Sequence, residues 1–203
     1  MSQALGHEWL PKWPNPMKRC HQFILIVATL AFSWLAMQAV HELGHVIGAA
    51  VSGGRVAEIE LHPATISYTR LAENPHPLFV AWTGPLVGVA VPIGVFAIAK
   101  WQRTPDWFIA QFFAGFCLIA NGAYLAFGTI GAVGDAGDLL HHGASLLLLW
   151  LFGLVTISGG LWLWNGLGPH FGFAGANGEV SRTAAYGMLA LLIATVALEL
   201  ILA

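Results

Sequence analysis

The chain has 203 residues, 57% of them hydrophobic and only 9% charged, against about 25% charged in an ordinary soluble domain. That composition excludes a water-soluble globular enzyme and describes a protein whose solvent is the lipid bilayer. The net charge of −2, with no basic run anywhere, implies no nucleic-acid partner, and the two distant cysteines, Cys20 and Cys117, suggest neither a disulfide framework nor a cysteine zinc site.

Five stretches are long and apolar enough to cross a hydrocarbon core ~30 Å thick, which takes ~20 helical residues: 23–51, 78–99, 108–133, 145–164 and 184–203. Lipid offers no partner to an open sheet edge. The expected fold is therefore an all-α membrane protein, a polytopic bundle of about five transmembrane helices in one domain without internal repeats. Span 23–51 is too long for a cleaved signal peptide and lacks a small-residue cleavage site, so it is expected to stay in the mature protein. It carries "HELGH", His41 to His45, deep in an apolar run.

The connection after the first span alternates, with Ala57, Ile59 and Leu61 on one side and Glu58, Glu60 and His62 on the other. A turn signal at Pro63-Ala64 precedes a second alternating stretch, "TISYTR", so a small β-hairpin at the membrane surface is expected. In the second span, "AWTGPLVGVAVPIG", Gly84 and Gly88 offer a small face for helix contact, and Pro85 and Pro92 favour kinks. The third closes through "AFGTIGAVGDAGDLLHHG", whose glycines should loosen the helix around Asp135 and Asp138. The fourth and fifth spans carry little beyond Asn165 and Glu199, the latter expected to be solvated near the end of the chain. Trp9, Trp13, Trp82, Trp101, Trp107, Trp150, Trp162 and Trp164 fall mostly near span ends, as interfacial anchors do.

An ionisable group at mid-membrane costs at least ~2.5 to 3.5 kcal/mol, so the two histidines and the glutamate of the first span call for a function. Four residues apart on a helix, His41 and His45 lie on one face, where both rings can reach one metal ion. Glu42, turned about 100° from His41, is a poor companion ligand but can reach a water bound to that metal. Zinc with three protein ligands keeps a position for water and lowers its pKa to about 7, and Glu42 could take the proton and pass it to a leaving amine. Two histidines leave zinc one ligand short. The candidates are Asp135, Asp138, His141 and His142, which helix parity returns to the side where the motif ends. Asp135 needs only a modest re-entry, and the other three read more simply as solvated.

These residues resemble the site-2 protease family of intramembrane zinc metalloproteases, particularly its small bacterial-type members. The resemblance rests on "VHELGHVIGAAVSGGRV", "WTGPLVG" and "GDAGDLL", and spans most of 40–140. It implies that His41, His45 and Asp135 bind Zn2+, that Glu42 is the catalytic base, and that the substrate is a membrane protein or peptide cut in or near its transmembrane segment. With the spans read above, the chain divides into an interfacial segment 1–22, a metalloprotease-like membrane core 23–140, and additional transmembrane helices 141–203 that the resemblance does not cover; the resemblance implies a multi-pass protein of the bacterial cell membrane. Two features depart from the family pattern. Asn121 lies well upstream of Asp135 with no proline between, and Ala136 stands where a glycine is usual.

The resemblance also gives the hairpin a use. A helical substrate hides its scissile carbonyls, and an exposed strand within 55–70 could hold the opened segment by edge pairing; a surface cover over the spans is the alternative. Charge places the N-terminus in the cytoplasm, with Lys12, Lys18, Arg19, Lys100, Arg103 and Arg182 inside and only Arg55 and Arg70 outside, whereas the family generally keeps its zinc near the cytosolic face. Two other functions compete with proteolysis: a catalytically inactive metal-binding membrane protein that binds partner helices, and a metal carrier. Oligomeric state and substrate identity are not legible in the residues.

Overall fold

The computed structural model describes residues 16–202; the anchors expected at Trp9 and Trp13, the charge at Lys12 and the last residue of the fifth span lie outside them. In chain order the elements are α1 (Pro16–Ser52), β1 (Arg55–Glu60), β2 (Tyr68–Glu73), α2 (Pro77–Trp101), α3 (Trp107–Gly131), α4 (Gly134–His141), α5 (Leu146–Trp164), two short 3-10 turns (Gly168–Phe171 and Ala174–Ala176) and α6 (Arg182–Leu202). Of these α1, α2, α3, α5 and α6 are long and apolar enough to cross a membrane. The all-α bundle with a hairpin after its first helix is the architecture the hydropathy pattern predicts.

Helix α1 begins at Pro16 rather than at 23. Its 37 residues make a rod ~55 Å long, well beyond the ~30 Å hydrocarbon core, so polar first turns and a deep motif share one helix. Those first turns are docked rather than free. Lys18 pairs with Glu179, Arg19 Nη1 donates to Gln22 Oε1 at 2.7 Å, and Gln22 Nε2 donates to the Phe171 carbonyl at 2.9 Å.

Lipid supplies no hydrophobic drive between helices, so contact depends on backbones coming close enough for dispersion. Gly44 and Gly48 of α1 lie against Thr83 of α2, where an added Cβ would overlap it. Between α3 and α5 the same device recurs: Gly122 meets Thr156, and a Cβ on Gly160 would sit 2.6 Å from the Gly115 carbonyl. Away from the motif, Leu25 and Ala28 of α1 pack with Ala184, Ala185 and Met188 of α6 and with Phe108, Leu167 and Phe171.

The packing of α6 corrects the expectation for Glu199. Its side chain is 4% exposed, not solvated, and its Oε2 has no hydrogen-bond partner among the described residues. The reason is that α6 stays against the bundle into its last turn, so the face bearing Glu199 is covered although the chain is about to end. Tryptophans divide similarly. Trp101 and Trp162 stand exposed, as anchors do, whereas Trp164 stacks on Phe112 at 5.0 Å and donates to its carbonyl, and Trp82 packs edge-on against Phe152.

The hairpin pairs Ile59 with Thr69 and Glu60 with Tyr68, and the step from Val56↔Leu71 to Glu58↔Arg70 leaves Ala57 bulged. Pairing is shorter than the alternation predicts, beginning on the second strand at Tyr68. The amide of Ser67, which would have extended it, donates instead to Gln38 Oε1 of α1 at 2.9 Å. Helix α3 is not loosened through its glycines but ends cleanly at Ala132, which adopts φ 48°. Gly134, at φ 54°, then turns the chain with the Tyr124 hydroxyl where a Cβ would be, and α4 folds back to bury Ala136 and Leu139 against Ala81, Leu125 and Leu149.

Candidate metal centre

The helical period of α1 puts His41 and His45 on one face, with ring centroids 4.9 Å apart. Their Nε2 atoms are 3.1 Å apart. Asp135, in the first turn of α4, brings Oδ2 to 2.7 Å from His41 Nε2 and 3.2 Å from His45 Nε2. The break at Ala132 and Gly134 makes this possible, because a straight continuation of α3 would carry the carboxylate past the histidines. Among the described residues, His41, His45 and Asp135 are the group of three donors that could hold a metal ion.

Each ring is oriented through its other nitrogen. His45 Nδ1 lies 2.9 Å from the Val80 carbonyl of α2, an oxygen that can only accept, so the hydrogen is on Nδ1. His41 Nδ1 lies 2.6 Å from Asn121 Oδ1 of α3, and Asn121 is fixed in turn by donating Nδ2 to the Cys117 carbonyl at 2.9 Å. Tautomers assigned from these acceptors turn the lone pairs of both Nε2 atoms toward Asp135. At most one hydrogen fits between the two rings, so the centre gathers more lone pairs than protons, an arrangement that a cation satisfies. The donor set of two imidazoles and one carboxylate suits zinc.

Room for these side chains comes from α2. A Cβ at Gly84 would collide with the His45 ring, and one at Gly88 would lie 2.7 Å from Asn121 Oδ1. The two glycines read as a packing face therefore also seat a ring and the residue that orients its neighbour. Tyr124 places its ring edge-on to His41 at 5.7 Å, and its hydroxyl oxygen accepts the Asp135 amide at 3.2 Å, holding the start of α4 in place.

Glu42 is buried beside the histidines, and its oxygens meet Ser67 and Thr69 of the hairpin. Two openings reach this point. One, about 300 Å³, is lined by His41, Glu42, His45, Asp135, Ser67 and Thr69. The other, about 320 Å³ and apolar at its rim with Trp34, Met37 and Ile66, runs between α1 and α3 to His41 and Glu42. Asp138, His141 and His142 are not gathered into the donor group. All three are exposed, and His142 Nδ1 bonds the Asp138 carbonyl at 2.8 Å instead.

Sequence reasoning missed Asn121 as an orienting residue, along with Tyr124, Ser67 and Thr69. Asn121 carried a usable signal, an amide in an otherwise apolar span; Ser67 and Thr69, in a polar surface segment, carried none.

The family model described as Peptidase M50B-like matches residues 20–162. The match contains every residue named above at the centre, and it runs beyond 140, where the visible motifs end, into α5. No curated protein and no solved structure matches the chain.

Proposed function

The chain belongs to the Peptidase M50B-like family, and from that premise we propose that it is a zinc metalloendopeptidase hydrolysing peptide bonds in or near the transmembrane segments of membrane-protein substrates. The observation that carries the reading is the convergence of two imidazole nitrogens and one carboxylate oxygen, from α1 and α4, beside a buried glutamate. His41, His45 and Asp135 would hold the metal, which when bound supplies a Lewis acid that activates water near neutral pH and polarises a peptide carbonyl.

The protein's own groups perform the rest. Glu42 takes the water's proton at a carboxylate oxygen and returns it to the nitrogen of the departing amine. Asn121 and the Val80 carbonyl keep the two rings aimed, so no reorientation is needed during the reaction. The apolar opening between α1 and α3 gives a hydrocarbon-soluble segment a route to Glu42, and the opening beside β2 gives water one. The free edge of β2, whose Thr69 and Leu71 line the same cavity as the donors, is the edge to which an unwound substrate would pair. A bacterial cell membrane is the setting that accompanies this reading.

The test is metal content and cleavage measured together. Protein purified in detergent should carry about one zinc per chain, and His41→Ala with His45→Ala should lose it. Glu42→Gln should keep the metal and abolish cleavage of a co-reconstituted membrane substrate. Cleavage surviving loss of both histidines would reject metal-dependent hydrolysis. Metal bound with no cleavage by the unaltered protein, across substrates of differing transmembrane sequence, would favour a silent metal-binding role.

A further inference from the structure

Both oxygens of the Glu42 carboxylate are engaged by the hairpin. Oε1 accepts a hydrogen bond from Ser67 Oγ at 2.8 Å, and Oε2 accepts one from Thr69 Oγ1 at 2.7 Å. The donors lie on either side of Tyr68 and both reach Glu42, while Tyr68 turns outward to Glu58 at 3.0 Å. Strand pairing explains neither hydroxyl, because Thr69 meets Ile59 through the backbone and Ser67 lies before β2. A third tie, from the Ser67 amide to Gln38 Oε1 at 2.9 Å, fixes this corner to α1 one turn ahead of Glu42.

A glutamate has three side-chain torsions, and a base that moves a proton between two partners must hold its carboxylate within a narrow range of positions. Two donors, one on each oxygen, fix both the place and the plane of the group. Each oxygen retains a second lone pair, so the grip leaves Glu42 able to accept a proton. We propose that Ser67 and Thr69 are positioning residues for Glu42, so that hydrolysis requires the hairpin to be seated on α1. The hairpin then does more than offer a strand edge: it completes the base. This inference rests on the reading of Glu42 as the base of a peptidase.

The experiment compares Ser67→Ala, Thr69→Val, the double variant and Thr69→Ser in proteoliposomes with a membrane substrate, recording kcat, KM and zinc content. A hydrogen bond to a charged group is worth enough that each single loss should lower kcat about tenfold, and the double loss about a hundredfold or more. KM should stay within about twofold and zinc content should not change, because both hydroxyls are committed to Glu42 and a substrate paired to β2 would be held through its backbone. Thr69→Ser, which keeps the hydroxyl, should stay within about threefold of the unaltered enzyme.

The double variant working at the unaltered rate would overturn the proposal. So would a loss carried mainly by KM, which assigns the hydroxyls to substrate binding, or a loss matched by falling zinc content, which assigns them to the fold. Full activity in Glu42→Gln would reject the base itself, and with it the functional reading; an inactive Glu42→Gln beside a fully active double variant would reject only the positioning role.

Discussion

Asn121 works through its neighbour's ring. Its Oδ1 receives His41 Nδ1 at 2.6 Å while its Nδ2 is anchored on the Cys117 carbonyl, so the amide cannot swing away without breaking two bonds in a buried place. Removing such a partner of a metal-ligating histidine lowers metal affinity by about ten- to a hundredfold. Asn121→Ala should therefore weaken zinc binding by that factor, measured by competition with a chelator, and unaltered affinity would show that His41 needs no orienting partner. The choice of third donor is tested at the same scale. Asp135→Ala should lower zinc occupancy far more than Asp138→Ala, because only Asp135 has an oxygen within 3.2 Å of both histidines and Asp138 is exposed. The reverse ranking would reassign the site.

For the elements, the decisive feature is how closely α2 approaches α1 and α3. Its glycines do unequal work: a Cβ on Gly84 would run into the His45 ring, while one on Gly94 of the same helix would meet nothing within 4 Å. Gly84→Ala should thus expel or tilt His45 and lower zinc occupancy, and Gly94→Ala should leave it unchanged, with metal content of purified protein as the measure. Equal occupancy in both would mean that the helices can part to admit a methyl group. The hairpin depends on packing in the same way. Its alternation is visible in 55–62, but the strand pairing stops at Tyr68 because Gln38, on another element, takes the Ser67 amide. Likewise the glycines near Asp135 mark a change of direction whose angle is set by Ala136 and Leu139 burying against α2, α3 and α5.

Across the described residues the charged groups gather toward the two ends of the long helices. Lys18 and Arg182 line one small cavity where α1 and α6 begin, and the metal-donor group lies toward the far end of α1. Among the described residues, Thr29 Oγ1, Ser33 Oγ and Glu199 Oε2 are buried without a hydrogen-bond partner, and of the three only Glu199 is a carboxylate. An unpaired buried polar group costs about 1–3 kcal/mol, more when charged, and an apolar residue of similar volume often improves on it. Glu199→Met should therefore raise thermal stability in detergent or leave it unchanged while preserving zinc content. A clear loss of stability would show that Glu199 has a partner the bundle must keep.

Several properties were legible along the chain because they are periodic over a few residues. Apolar runs of about twenty residues specify the spans, a spacing of four places His41 and His45 on one helical face, and alternation marks the strands; all three follow from backbone geometry alone. What only the tertiary structure decided are the meetings between residues far apart in the chain: Asp135 rather than Asp138, His141 or His142 beside the histidines, Asn121 and Val80 behind them, Ser67 and Thr69 on Glu42, and a covered Glu199. Those depend on where small residues let helices touch and where α3 breaks. Backbone period sets which way a side chain points along its own element, but only packing sets what it points at.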